Sequence, residues 1–140
     1  MAENPQSQQA RSRPLSPHLT IYRWPVTMMT SITHRATGIA LSLGAVILAW
    51  WLVSISNGPE GYDSFHAVMD TPLGLLVLFA ITWSLAYHFF SGVRHLAWDL
   101  GYGFDKKVAE RNSVLVFALS FASALAVFGL VYGGHAGYLR

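Results

Sequence analysis

The distribution of charge constrains this chain more than any motif does. Between Arg35 and Glu60, between Asp70 and Arg94, and between Arg111 and Arg140 there is no Asp, Glu, Lys or Arg. Each stretch exceeds the roughly 20 residues that a helix needs to cross the hydrocarbon layer of a bilayer. Transmembrane β-strands would instead alternate polar and apolar residues over about ten positions. The pattern predicts an all-α membrane protein with three transmembrane helices. It excludes a soluble enzyme, a disordered tail and a nucleic-acid module, so no nucleic acid is expected among the partners. Composition agrees: 53% of residues are hydrophobic and 11% charged, against roughly 25% charged in a soluble domain. There is no Cys, which removes disulfides, thiolate metal sites, iron–sulfur ligation and covalent haem attachment from this chain.

Local signals divide the chain. Residues 1–27 read as a polar N-terminal arm and an interfacial segment, with Tyr22, Arg23 and Trp24 suited to the headgroup layer. The transmembrane domain is expected over 28–133, with spans at about 28–56, 72–100 and 113–132, and a tail at 134–140. Asn57-Gly58-Pro59 is a stop signal, and 57–71 reads as a loop carrying three acids. Pro72 opens the second span, and Gly101-Tyr102-Gly103 closes it. The loop 101–112 holds Lys106, Lys107 and Arg111, and the third span is expected to stop at Gly133-Gly134. Basic residues lie in the arm (Arg11, Arg13, Arg23) and in the 101–112 loop but not in 57–71. The positive-inside rule then places the N-terminus and the 101–112 loop in the cytoplasm or its organellar equivalent. Trp50 and Trp51 read as the aromatic belt of the outer side, and Trp24 as that of the inner side. Residues 1–20 lack the apolar run of a cleavable signal, and Glu3 suits a transit peptide poorly. Three helices enclose little core of their own, so a partner subunit is expected.

Ionisable residues inside a span are costly and mark function by default. Ser31, His34, Arg35 and Gly38 follow i, i+3, i+4, i+7 and share one face of the first span. Snorkelling of Arg35 and His34 to headgroups is the competing explanation. In the second span, His88, Gly92, His95 and Asp99 share a face. His88 lies 16 residues after Pro72, roughly 24 Å into the helix, with no carboxylate one turn away. A neutral imidazole there calls for a backbone carbonyl on another helix, a proton path or a metal. Haem iron suits a single His among apolar residues, because the porphyrin is itself apolar. Zinc would need further ligands that the spacing does not provide.

Two motifs then carry a resemblance. The first is Arg13-Pro14-Leu15-Ser16-Pro17-His18-Leu19-Thr20-Ile21-Tyr22, followed by Ser31-x-x-His34-Arg35-x-Thr37-Gly38. The second is His88-x-x-x-Gly92-Val93-Arg94-His95-Leu96-x-Trp98-Asp99-x-Gly101. Over about 13–133 the sequence resembles the cytochrome b subunits of succinate dehydrogenase (respiratory complex II), which are haem-binding membrane anchors. The resemblance implies that the three helices form part of a haem-containing bundle with a second anchor subunit. It implies that His88 is one axial ligand of haem b, the other coming from that second anchor. It places Ser31 and Arg35 at a ubiquinone site, and His34, Arg35 and His95 at or near the haem propionates. Succinate would be oxidised at the flavin of a flavoprotein subunit, with electrons passing through an iron–sulfur subunit to ubiquinone. This chain would be a subunit of the enzyme, not catalytic alone, and no catalytic residue is assigned to it.

The Ser16-Pro17-His18-x-Thr20-Ile21-Tyr22 run looks like the mitochondrial and proteobacterial branch. The poor transit signal favours a bacterial inner membrane over a mitochondrial one. Two alternatives stand beside this reading. One is an anchor working in the fumarate-reducing direction with menaquinone. The other is a purely structural anchor without haem. A proton-conducting bundle would call for acids inside the spans, and none lies between Arg35 and Glu60, Asp70 and Arg94, or Arg111 and Arg140.

Overall fold

The computed structural model describes residues 21–138, with side chains to 133. Most of the expected arm, including Arg11, Arg13 and the motif residues up to Thr20, lies outside the described residues, as do the side chains of the expected tail. The order is α1 (Val26–Ser56), α2 (Pro59–Met69), α3 (Pro72–Asp99) and α4 (Lys106–Tyr138). α1, α3 and the Lys106–Gly133 part of α4 are each long and apolar enough to cross a membrane. No strand occurs among the described residues.

Each boundary has a local cause. α1 follows Pro25, whose carbonyl accepts from Met28 N and Met29 N at 3.0 and 3.2 Å. Gly58 breaks the helix with φ +80°, and Pro59 then opens α2 at a position where its missing N–H costs nothing. Here the structure departs from the loop expected at 57–71. Phe65 and Met69, one turn apart, are buried, and Phe65 packs edge-on against Trp50 at 4.9 Å. At 11 residues, α2 is about 16 Å long, too short to span. Thr71 caps α3 by accepting from Gly74 N at 3.1 Å. α3 ends in a left-handed residue, Gly101 at φ +86°. Tyr102 N bonds Ala97 O and Gly101 N bonds Trp98 O, the paired closure that a Cβ at Gly101 would disfavour.

α4 also begins earlier than expected. Asp105 Oδ1 accepts from Lys107 N at 2.9 Å and Val108 N at 3.3 Å, so the basic stretch 106–112 forms its first turns instead of a loop. At the far end α4 continues through Gly133 and Gly134 to Tyr138.

Packing is inverted relative to a soluble protein. Buried positions are chiefly small or hydroxyl-bearing: Thr30, Thr37, Gly44, Ser54, Ser84, Ser91, Ser113, Ser120 and Ala124. Leu, Ile, Val and Phe side chains such as Ile39, Leu43, Leu76, Leu85, Phe89 and Leu130 face outward. Small residues let membrane helices approach, and their hydroxyls bond locally: Thr30 donates to Val26 O at 2.8 Å and Ser113 to Ala109 O at 2.8 Å. α3 runs antiparallel to α1 and α4 and contacts both. A Cβ on Gly44 would come within 3.1 Å of Ile81 Cγ2, so this glycine sets the closeness of α1 and α3.

Candidate functional site

The site forms where the N-terminal half of α1 meets the C-terminal half of α3. Its framework is Tyr87, fully buried, whose hydroxyl donates to Thr30 O at 3.1 Å. That bond pins α3 against α1 at one depth and brings three histidines into a row. His34 stacks on His88 with ring centroids 4.1 Å apart and on His95 at 5.1 Å. The structure thus brings His34, His88 and His95 together. Stacked rings turn their faces to one another, so their nitrogens do not converge on one point. Among the described residues no group of three or more His, Asp or Glu forms a metal cage.

His88 is held at one edge. Gly38 leaves the space its ring occupies: a Cβ there would meet His88 Cε1 at 3.3 Å. Thr37 Oγ1 lies 3.5 Å from His88 Nδ1. The Thr37 hydroxyl proton goes to His34 O at 2.9 Å, so Oγ1 is left to accept from Nδ1–H. That assignment keeps the lone pair of a neutral His88 on Nε2. The motif carries no role for Thr37, and its spacing, three residues after His34, is the one sequence signal of this contact. His95 donates from Nδ1 to Ser91 O at 2.7 Å, so its Nε2 is likewise the nitrogen available to another group. His34 Nε2 is buried with no partner.

Ser31 is half-buried and Arg35 exposed, one turn apart on α1. Neither has a hydrogen-bond or ion-pair partner among the described residues. Arg94 behaves differently from its neighbour His95. Arg94 turns to α4, where Nη1 donates to Ser113 Oγ at 2.7 Å and the guanidinium lies 4.6 Å from the Trp98 ring. Successive residues differ by about 100° around a helix, so 94 and 95 must face different neighbours.

A family model described as succinate dehydrogenase/fumarate reductase transmembrane subunit matches residues 9–127. The chain belongs to this family. A succinate dehydrogenase cytochrome b556 subunit of Paracoccus denitrificans is 41% identical over 120 residues, covering 86% of this chain and 91% of its own length. A mitochondrial succinate dehydrogenase cytochrome b560 subunit of Homo sapiens is 38% identical over 120 residues, 83% of this chain and 70% of that one. A cytochrome b556 subunit of Rickettsia felis is 42% identical over 98 residues, 70% and 76% respectively.

For this transmembrane subunit, a cytochrome b name among relatives raises whether its own residues suit haem. They do on three observations. His88 has its Nδ1 side engaged and Nε2 left for a ligand. Gly92, one turn along, would meet nothing within 4 Å if it carried a Cβ, so the flank of His88 is open to a flat group. His34 Nε2 is an orphaned buried polar atom beside the same ring, which an anionic propionate would satisfy.

Proposed function

We propose that the chain is the cytochrome b membrane anchor of a succinate:quinone oxidoreductase, and that it ligates haem b through His88 and helps form the site of ubiquinone reduction. The observation that carries the reading is the edge-on hold on His88, with Thr37 fixing the tautomer and Gly92 leaving the flank open. A second anchor subunit supplies the other axial ligand. A flavoprotein and an iron–sulfur subunit complete the complex and deliver electrons at the end where α1 begins. The N-terminus and the stretch 101–112 lie in the cytoplasm of a bacterium, and the complex sits in its inner membrane, consistent with the basic residues at that end.

Haem b, when bound, supplies a one-electron redox centre within the membrane. His88 gives it a neutral imidazole nitrogen whose basicity is raised by the bond from Nδ1 to Thr37. His34, His95 and Arg35 offer donors to the propionates. Ser31 donates its hydroxyl to a quinone carbonyl. Arg35, one turn on and always charged, stabilises the negative charge that the ring oxygen gains on reduction. Among the described residues neither side chain has a partner, which leaves both free for a substrate.

The test is optical. The purified complex should give a reduced-minus-oxidised difference spectrum with the sharp bands of a bis-imidazole b-type haem, and His88→Leu should abolish them. A His88→Leu complex with an unaltered spectrum would overturn the ligand assignment. A wild-type complex without haem would reduce the chain to a structural anchor.

A further inference from the structure

On the side of α3 away from the histidine row, α3 and α4 enclose a groove of about 440 Å³, within the range of small-molecule sites. Its walls are apolar: Phe90, Val93, Ala97, Leu115 and Leu119, with Tyr102 at its mouth. Val93, Leu115, Leu119 and Tyr102 are exposed, so the groove opens to the outside of the bundle. At about 100° per residue, Val93 and Ala97 lie roughly 140° and 180° around α3 from His88. A subunit that meets the histidine face therefore approaches α3 from the other side.

One residue is foreign to such a groove. Arg94 lines it and is only 6% exposed. Its guanidinium spends one nitrogen on Ser113 and one face on Trp98, while Nε has no hydrogen-bond partner. No carboxylate pairs with it: among the described residues the one ion pair is His66 with Asp70, at the opposite end of α3. Asp105, the acid at the start of α4, is committed to capping backbone N–H groups, and Asp99 and Glu110 form no ion pair. Lys106, Lys107 and Arg111 add positive charge at the same end, on the first turns of α4. A buried, unpaired cation in an apolar groove calls for an anion that brings its own apolar tail.

We propose that the α3–α4 groove binds one anionic phospholipid, its headgroup phosphate held by Arg94 beneath the basic start of α4 and an acyl chain lying along Val93, Phe90, Leu115 and Leu119. Trp98 and Tyr102 line the same groove beside the α3–α4 turn, and aromatic side chains near the end of a span suit the headgroup layer. Basic pockets between membrane helices on the positively charged side suit this lipid class. Arg, with its planar fork, offers two donors to a phosphate where Lys would offer a point charge. The site does not depend on what His88 ligates.

The experiment uses the whole complex in nanodiscs or mild detergent. Native mass spectrometry counts retained phosphatidylglycerol, and thermal unfolding is followed as phosphatidylglycerol or phosphatidylcholine is added. Wild type should retain one phosphatidylglycerol more than Leu115→Trp, which fills the groove but keeps Arg94. Phosphatidylglycerol should raise the unfolding midpoint of wild type and leave that of Leu115→Trp unchanged. Arg94→Gln should lose the lipid and Arg94→Lys should hold it more weakly. If Arg94→Gln does not assemble, Leu115→Trp decides alone. The proposal is overturned if Leu115→Trp retains as much lipid as wild type, or if phosphatidylcholine stabilises as well as phosphatidylglycerol. A photo-crosslinker at Val93 that captures another subunit instead of lipid would also overturn it.

Discussion

At the scale of single residues, the geometry around His88 makes a demand on Thr37 that no ligand list contains. The hydroxyl gives its proton to His34 O and accepts from His88 Nδ1. If His88 ligates haem as proposed, removing the acceptor would lower the electron donation of the imidazole to the iron and so disfavour the ferric state. Thr37→Val should therefore keep its haem, with the midpoint potential shifted upward in a potentiometric titration, and Thr37→Ser should restore the wild-type value. The unpartnered pair on α1 makes a different demand. Ser31→Ala and Arg35→Leu should each lower succinate–ubiquinone reductase activity by roughly 10²-fold, the order lost with one donor to a developing oxyanion. Reduction of a soluble dye at the flavoprotein should be unchanged. Loss of both activities would mean that the substitutions disrupt assembly instead of the quinone site.

At the scale of elements, α1 and α3 are held by close approach, not by interdigitated large side chains. In that seam Gly44 lies against Ile81, with no room to spare for a Cβ. Gly44→Leu should destabilise the anchor by about 1–3 kcal/mol, the usual cost of overpacking, read as a lower unfolding midpoint of the purified complex. Ile81→Ala in the same chain should recover part of the loss, because it removes the atoms in conflict. The start of α4 depends on a single carboxylate. Asp105→Ala should cost about 1 kcal/mol, whereas Asp105→Asn, which keeps an acceptor, should cost less. The charges of α2 and of the first turns of α4 signal exposure and, read alone, suggest loops. Charge marks where a segment leaves the membrane, not where its helix ends. In α2 the cue lay in Pro59 followed by Phe65 and Met69 one turn apart. In α4 it lay in Asp105, two and three residues before the backbone N–H groups that it caps.

At the scale of the whole molecule, the bundle is unfinished. Its interior is lined by Thr, Ser, Gly and Ala, its large apolar side chains face outward, and the flank beside His88 and Gly92 is open. The natural absence of Cys allows a direct test of orientation. Single cysteines introduced as Lys107→Cys and Asp63→Cys should react with an impermeant maleimide from opposite sides of the membrane, Asp63→Cys from the outside. Labelling of Lys107→Cys from outside would reverse the proposed topology. The three spans, the family and the candidates His88, Ser31, Arg35, His34 and His95 were legible in the sequence alone. A bilayer leaves a helix few ways to place charge, and each exception is visible as a residue. What only the tertiary structure decided is who faces whom. It put His34 between His88 and His95, gave Thr37 to His88 Nδ1, and turned Arg94 away from its neighbour towards Ser113 and Trp98. Those outcomes depend on the rotation and depth at which α1, α3 and α4 pack, which small residues far apart in the chain set together and no local spacing encodes.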